Sequence, residues 1–276
     1  MFNDMLLSEL LIYLAGLIST GIVAGLIAGL FGVGGGIVIV PILFWIFTSL
    51  NFPDEILMHM AIGSSLITII PTSIASARAH YNRGSIDIDV LKKWGFGIFL
   101  GALLGGFSGK FFNTNELKYV FAFIAFIVAL NMFIKNPLIL SNRLPKSKII
   151  NTFISFIIGF MSSLMGVGAG TIGVPSLVLL SIPIHRAIGT AAALGLFISI
   201  PATFGLAFSG FDVPNRPPMS IGYVNVIAFL IMFPLTVFFA PIGVKIAHLI
   251  NQRVLKIIFG VFLIITSTKM LISILF

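Results

Sequence analysis

Two glycine clusters in this sequence have the composition and spacing of backbone binding sites. Both lie inside long apolar stretches, which predicts that a helix is interrupted at each cluster. A helix that restarts at such a break begins with unpaired backbone N–H groups and the positive end of its dipole, and together these favour an anion. Glycine also lets a ligand approach the backbone closely. The candidate ligand-binding glycines are Gly32, Gly34, Gly35, Gly36, Gly166, Gly168 and Gly170.

The two clusters belong to an internal repeat. Residues 25–41 align with residues 159–175 at an offset of 134 residues, and a Val-Pro pair closes both copies. Ala169 replaces the middle glycine of the second copy, and Thr171 stands opposite Ile37. Further matches at an offset of 138 residues continue to the ends of both halves. The sequence therefore predicts two halves of the same build, with a helix break at the corresponding point of each.

Tight packing of helices through small residues is the alternative account of the glycines. It explains a ladder in the fourth apolar segment, Gly97, Gly101, Gly105 and Gly109, better than it explains a Gly-Val-Gly break followed by proline. A dinucleotide-binding fingerprint does not fit, because neither cluster follows a predicted strand.

Hydroxyl side chains in the third and eighth apolar segments are further candidates for substrate binding, namely Ser64, Ser65 and Thr190. All eight carboxylates lie outside the apolar segments or at their edges. Cation and proton transporters usually need a buried carboxylate, so its absence favours a neutral or anionic substrate, although backbone carbonyls could still bind Na⁺. The ordinary role of each hydroxyl is hydrogen bonding to a backbone or a neighbouring helix.

Arg78, His80 and Arg83 form the densest polar group at the end of an apolar segment. They could gather anions at a cytoplasmic mouth. The simpler interpretation is the general enrichment of basic residues on the cytoplasmic side. His59 is the only histidine inside the apolar segments, so paired ligands for haem or a metal are not expected, and the sequence predicts no cofactor.

Composition identifies the class of protein. Of the 276 residues 58% are hydrophobic and 9% are charged, whereas a soluble domain is about 45–50% apolar. The mean hydropathy is +1.16. The formal net charge of +8 fits the cytoplasmic loops of a membrane protein rather than a nucleic-acid-binding surface. We therefore expect an all-α integral membrane protein that lies in the lipid bilayer and binds no nucleic acid.

Ten apolar segments can be assigned, five on each side of a polar linker. They cover about residues 10–31, 36–50, 56–77, 94–112, 117–134, 149–165, 170–184, 187–208, 221–244 and 254–276. This predicts a first transmembrane repeat at residues 1–134, a cytoplasmic linker at 135–148 and a second transmembrane repeat at 149–276. No Lys or Arg precedes the first segment, so we expect the N-terminal residues to belong to the mature chain.

The second and seventh segments are short. Each holds about 15 residues, whereas a helix needs about 20 residues to span a bilayer. Both begin at a glycine cluster, which predicts a helical hairpin with a glycine-rich break, either spanning or re-entrant. Such a break is tolerated at membrane depth only where protein buries it or where it lines a cavity.

The distribution of basic residues predicts the orientation. Twelve Lys and Arg residues fall on one side of the predicted membrane and four on the other, which places both termini outside. With five segments in each half, the second repeat is then inverted relative to the first. Inverted repeats with broken helices are typical of secondary transporters, whose substrate binds near the midplane between the repeats.

The doubled Gly-x-Gly-Gly-Gly-x-x-x-x-Pro element, in a chain of this length with five apolar segments per half, resembles the TauE/SafE family of sulfite exporters. The resemblance covers nearly the whole chain and departs at Ala169. It implies transport of sulfite, sulfonates or related sulfur-containing or carboxylate anions across the plasma membrane.

Residues and resemblance together predict a multi-pass secondary transporter of a small anion, not an enzyme. An anion channel or a non-transporting membrane scaffold is the alternative. The identity of the substrate, a coupling ion and a homo-oligomer are left open.

Overall fold

The computed structural model describes residues 7–134, 141 and 144–275, and most of this chain is helical. Its α-helices are α1 (Leu7–Phe31), α2 (Gly36–Ser49), α3 (Leu57–Tyr81), α4 (Ile88–Ser108), α5 (Thr114–Phe133), α6 (Lys148–Met165), α7 (Gly170–Leu179), α8 (Ile184–Ser209), α9 (Val226–Leu249) and α10 (Gln252–Leu275). Strands β1 (Ser220–Ile221) and β2 (Val224–Asn225) form a small antiparallel hairpin before α9. Most of the predicted linker, residues 135–140 and 142–143, lies outside the described residues.

Eight of the described helices are long and apolar enough to cross a membrane, which confirms an all-α integral membrane protein. Helices α2 and α7 have only 14 and 10 residues. At about 1.5 Å per residue they are about 21 and 15 Å long, against about 30 Å of hydrocarbon. The expectation of two short helices that begin at the glycine clusters is therefore confirmed.

Several helix ends differ from the apolar segments because polar residues cap or extend the helices. Helix α4 begins well before residue 94, since the Asp87 side chain accepts hydrogen bonds from the N–H groups of Asp89 and Val90. Helix α9 begins at Val226 instead of 221, where the side chain of Asn225 accepts from Ala228 N–H. Helices α3 and α9 also continue beyond their apolar segments, so Arg78 and His80 lie in the last turn of α3 and His248 lies in the last turn of α9.

The two halves of the chain interlock. Helix α1 packs along α9, and α6, its counterpart in the second half, packs along α4, the counterpart of α9. Helices α5 and α10 pack against each other, and so do α3 and α8 at the centre. Each of these contacts joins one half to the other, so the core is shared between the halves.

Small residues allow these close contacts. A Cβ atom at Gly101 would collide with the backbone of Phe156 on α6, and one at Gly25 would lie 2.9 Å from the backbone of Thr236 on α9. Gly97 and Gly105 also face α6, as the packing interpretation of the ladder predicts. Gly109 instead lies in a 3₁₀ turn against Leu206 of α8.

Candidate functional site

The two glycine clusters meet inside the helix bundle. Break 1, residues 32–35, separates α1 from α2, and break 2, residues 166–169, separates α6 from α7. The N–H group of Gly168 donates a hydrogen bond to the Val33 carbonyl at 3.0 Å. A Cβ atom at Gly36 would collide with the Gly166 carbonyl, and one at Gly170 would lie 2.5 Å from the Gly32 carbonyl carbon. The structure thus brings all seven predicted glycines into one region, with backbone against backbone.

Break 1 and break 2 stop their helices in different ways. Gly166, at φ 69°, closes α6 with a Schellman motif, in which Gly166 N–H donates to Ser163 O and Val167 N–H donates to Ser162 O. Gly32, at φ 66°, closes α1 with a single bond from its N–H to Ala28 O. Both glycines adopt the left-handed conformation that other residues rarely tolerate.

The helices restart with backbone N–H groups aimed at the breaks. In α2 the first helical bonds run from Val38 and Ile39 N–H to Gly35 O, at 3.0 and 3.1 Å. The N–H groups of Gly36 and Ile37 precede these bonds. The residues before the two helices, Gly35 and Ala169, provide no side-chain cap. The positive ends of α2 and α7 are therefore both turned towards the place where the breaks cross.

The crossing is buried at mid-length of α3. Residues 32–40 and 162–171 are all buried. Gly34 lies against Ile69, in the middle of α3, and Gly166 lies against Ile62, in the second turn of that helix. Protein thus covers the glycine breaks completely, as a break at membrane depth requires.

Helix α2 folds back along α1 from this point. Ala24 of α1 lies next to Gly35 at the break, and Gly16, two turns earlier in α1, lies next to Ile46 near the end of α2. The first break is therefore the tip of a helical hairpin whose returning arm is the shorter one.

Ser65 is the predicted hydroxyl that reaches a break. Its Oγ–H donates to the Gly166 carbonyl at 2.7 Å, and its side chain is fully buried. This bond fixes the end of α6 to α3.

Ser64 and Thr190 hold loops at the two ends of the bundle. Ser64 Oγ accepts from Asn225 N–H, and Thr190 Oγ1 accepts from Asp87 N–H, both at 2.8 Å. The two contacts correspond to each other, because each hydroxyl follows an Ala-Ile-Gly sequence, at 61–63 and 187–189, and each fixes the residue that caps the fourth helix of the other half. Their oxygens therefore bind the capping loops. Tyr223 lies two residues before Asn225, in the turn of the β-hairpin, and burial raises the pKa of its phenol.

Two hydroxyls next to break 2 were missed in the sequence. Thr171 Oγ1, in the first turn of α7, and Ser162 Oγ, near the end of α6, are buried without a hydrogen-bond partner among the described residues. Both side chains have no exposed surface. The signal for Thr171 was its position, since it is the hydroxyl residue opposite Ile37 in the first copy of the repeat.

The predicted cytoplasmic mouth is divided in the structure. Arg78 and Arg83 are exposed, whereas only 1% of His80 is exposed, and its Nε2 lies 3.2 Å from the Gly29 carbonyl of α1. His80 therefore faces the end of α1 close to break 1, and the two arginines face outwards.

His185 and His248 join His80 in a group that the sequence did not predict. The ring centroids of His80 and His248 are 5.9 Å apart, and those of His185 and His248 are 5.2 Å apart. Only His59 lies inside an apolar segment, but α3, α8 and α9 extend beyond those segments and therefore include these three residues as well. In the described part of the chain, no group of three His, Cys, Asp or Glu residues is placed to hold a metal ion.

Comparison with known proteins assigns the family. Residues 17–270 match the family described as Sulfite exporter TauE/SafE. The chain belongs to the TauE/SafE family. This match confirms the resemblance carried by the two glycine motifs.

Curated relatives match over nearly their whole length. A Haemophilus influenzae protein is 32% identical over 91% of this chain and 95% of its own length. A Bacillus subtilis protein is 26% identical over 92% and 96%, and one from Methanocaldococcus jannaschii is 29% identical over 90% and 92%. All three are named probable membrane transporter proteins. No solved structure matches the chain significantly.

The family match and these relatives, together with the eight membrane-span candidates of the described chain, confirm a multi-pass protein of the plasma membrane that belongs among transporters rather than enzymes.

Proposed function

We propose that this membrane transporter is a secondary transporter of a small anion, either a sulfur oxyanion or an organosulfonate, and that the anion binds where break 1 and break 2 cross. The observation that carries the proposal is the convergence of two uncapped helix starts on one buried point. The sulfur chemistry comes from the name of the family.

The charges of the protein support an anion as the substrate. Backbone N–H groups and helix dipoles at a buried point stabilise negative charge without needing a cationic side chain. Thr171 Oγ1 and Ser162 Oγ add two hydroxyls beside break 2 that have no hydrogen-bond partner in the part of the chain that the structure describes. The carboxylates whose side chains the structure describes lie at helix ends or in loops: Asp54, Glu55, Asp87, Asp89, Glu116 and Asp212.

The closed crossing supports a transporter over the alternatives, an anion channel or a scaffold. Break 1 and break 2 touch through the Gly168–Val33 hydrogen bond, so an anion reaches them only when the packing between them loosens. In our proposal the halves are inverted repeats that rock about this point, opening it first to one side of the membrane and then to the other. A channel would need an open path past the same glycines.

The decisive experiment is counterflow in proteoliposomes. Vesicles loaded with unlabelled sulfite, isethionate or thiosulfate should take up the same labelled anion transiently, with saturable kinetics. A thermal-shift screen that adds sulfate, taurine and small carboxylates selects the anion to use, because bound ligand raises the unfolding midpoint. Flux that rises linearly with concentration and shows no counterflow would favour a channel.

Variants of the glycines test where the anion binds. Val at Gly34 or at Gly168 adds bulk where the backbones meet, since a Cβ atom would lie 2.7 Å from Ile69 Cγ2 or from Val33 O. Counterflow should fall sharply in both variants while the protein still reaches the membrane. Gly173→Ala is the matched control, because its Cβ atom would meet only Ala169 Cβ, at 3.8 Å. Normal KM in both valine variants would favour the packing interpretation.

The charge of the substrate is tested by a pair of competitors. Isethionate and taurine differ mainly in a hydroxyl against an ammonium group. A site built from N–H groups and hydroxyls offers the ammonium no partner, so isethionate should compete better than taurine for uptake of labelled anion. Stronger competition by taurine would require a cation-binding group at the site and would contradict the proposed position.

A further inference from the structure

The three histidines at one end of the bundle sit on helices that are distant in sequence. His80 is in the last turn of α3, His248 is in the last turn of α9, and His185 is in the first turn of α8. We call His80, His185 and His248 the histidine group. Among the described residues, the groups that act electrostatically on His80 are His248, Arg83 and His185, and all three are basic.

Hydrogen bonds indicate that one ring nitrogen of His80 and one of His248 is bare, that is, carries no proton. A carbonyl can only accept, so the contact with Gly29 O places a proton on His80 Nε2 and leaves Nδ1 bare. The same reasoning places a proton on His248 Nδ1, 2.9 Å from Val244 O, and leaves Nε2 bare, with Ser85 Oγ at 3.5 Å. His80 Nδ1 is buried and has no hydrogen-bond partner among the described residues. A bare, buried imidazole nitrogen is a proton acceptor.

The three histidines occupy different positions on their helices. The C-terminal end of a helix stabilises a nearby cation, and both His80 and His248 lie in a last turn. His185 lies at a helix start, where the dipole disfavours a cation. His80 and His248 are therefore the members of the group that lie at the helix end whose dipole suits a cation.

The histidine group is also connected to break 1. The Gly29 carbonyl that accepts from His80 lies three residues before Gly32, about 4.5 Å along α1. Ser76, one turn before His80, donates to Ala28 O at 3.4 Å, and this same carbonyl accepts the bond from Gly32 N–H that closes α1. The end of α3 thus holds the turn of α1 from which break 1 begins.

We propose that His80 and His248 form a proton-binding site that couples the movement of the anion to the movement of a proton. The proposal rests on the anion transport proposed above. A proton bound by His80 or His248 adds positive charge beside Arg83, and a bound anion compensates for that charge. By linkage the anion then favours proton uptake, and the proton tightens anion binding by the same factor. The transported unit is one anion with a proton.

The first test uses the unmodified protein in proteoliposomes that contain a pH-sensitive dye. The probes are thiosulfate and isethionate, which stay ionised between pH 5 and 8. An inward gradient of either probe should acidify the lumen, and the apparent affinity should be about tenfold higher at pH 6 than at pH 8, within the range of typical coupled sites. Anion uptake without a pH change would overturn the coupling. Absence of counterflow with both probes would overturn the proposed transport function instead.

The second test assigns the proton to its residues. His80→Gln and His248→Gln should keep counterflow, which exchanges one loaded carrier for another, and should lose proton movement and the pH dependence of affinity. His59→Gln is the matched control, because His59 is a buried histidine that contacts the carbonyls of Gly109 and Phe112 and lies outside the histidine group. Proton movement that persists in both variants would remove His80 and His248 from the mechanism.

A spectroscopic measurement on the unmodified chain tests the proposal even if the substituted proteins do not fold. The protein contains 4 histidines, so its ¹⁵N-histidine spectra are simple. Without anion, one ring should carry its proton on Nε2 and another on Nδ1, as assigned above for His80 and His248. Saturating thiosulfate at pH 6.5 should give at least one of these rings a second N–H. Imidazole signals that do not respond to thiosulfate would overturn the proposal.

Discussion

Gly35 and Ala169 occupy the same position in the two copies of the repeat and have opposite backbone conformations. Gly35 has φ 84°, in the left-handed region, whereas Ala169 has φ −62°, in the right-handed region. The departure of the second copy from the glycine pattern therefore has a conformational reason. Alanine is accommodated at 169, and at 35 it is not.

This difference predicts unequal effects of swapping the two residues. Gly35→Ala should lower the free energy of unfolding by about 1–2 kcal/mol, because a left-handed conformation costs an L-residue about that much. Its Cβ atom would also lie 2.8 Å from the Ala24 carbonyl. Ala169→Gly should change stability little, since glycine is accepted before a helix start. Thermal unfolding of both proteins in detergent compares them, and equal shifts would contradict the conformational explanation.

Thr171 offers a test that separates binding from stability. Its hydroxyl is buried and unpartnered among the described residues, so Thr171→Val removes no hydrogen bond from the unliganded protein. The unfolding midpoint should stay the same or rise. Anion affinity should fall roughly 10- to 150-fold, since a hydrogen bond to a charged group contributes about 1.5–3 kcal/mol.

Thr171→Ser is the control for that experiment, because it keeps the hydroxyl. Binding of thiosulfate and isethionate measured by calorimetry, beside thermal unfolding, gives the two readings. A valine variant that is less stable and binds the anions normally would show that the hydroxyl has a structural role only.

Helices α4 and α6 are joined by a buried polar contact. Trp94 Nε1–H donates to Asn151 Oδ1 at 3.1 Å, and both side chains are buried. The amide of Asn151 in turn donates to the carbonyls of Pro145 and Ser147, at 2.6 and 2.9 Å. One asparagine thus fixes the start of α6 both to α4 and to the described end of the linker.

Trp94→Phe should destabilise the protein by about 1–3 kcal/mol through the unsatisfied Asn151 oxygen alone, because a buried acceptor loses its donor. Trp45→Phe is the comparison, since Trp45 is only partly buried and lies under Lys269 at 5.0 Å, a contact that a phenyl ring can keep. Unfolding midpoints in detergent should fall more for the Trp94 variant. A larger fall for the Trp45 variant would show that the indole N–H contributes little.

The elements that the sequence predicts well are those with local signals. Hydropathy located the spanning helices, and the glycines with their following Val-Pro located α2 and α7, since both signals lie within a few neighbouring residues. The histidine group could not be predicted, because His80, His185 and His248 meet only when α3, α8 and α9 pack together. The roles of Ser64 and Thr190 could not be predicted either, because the sequence does not show whether a hydroxyl binds a ligand or a capping loop.

The orientation of the protein in the membrane is a prediction from the distribution of its basic residues. The chain has no cysteine, so single cysteines can be introduced without background. Lys146→Cys, in the linker, should be protected from an impermeant thiol reagent on intact cells, and Asp212→Cys, in the exposed loop before the β-hairpin, should be labelled. A third position, Asn3, lies outside the described residues and should also be labelled.

The reverse pattern, with Lys146→Cys labelled and the other two protected, would show that the protein has the opposite orientation in the membrane. It would also move Arg78, Arg83 and the histidine group to the outer surface, where a proton would enter with an anion from outside the cell.

The pairing of α1 with α9 bears on how the chain is made. The face of α1 that carries Gly25 and Gly29 is shaped to receive the backbones of Thr236 and Gly243, which the ribosome produces only near the end of synthesis. Until then the nascent first half holds a groove that lipid tails fill poorly, because small residues gain their packing energy from close helix contact. The glycine face of α4 likewise lacks its partner until α6 has been made. Until α6 and α9 have been made, the glycine-lined faces of α1 and α4 therefore lack the helices that fill them.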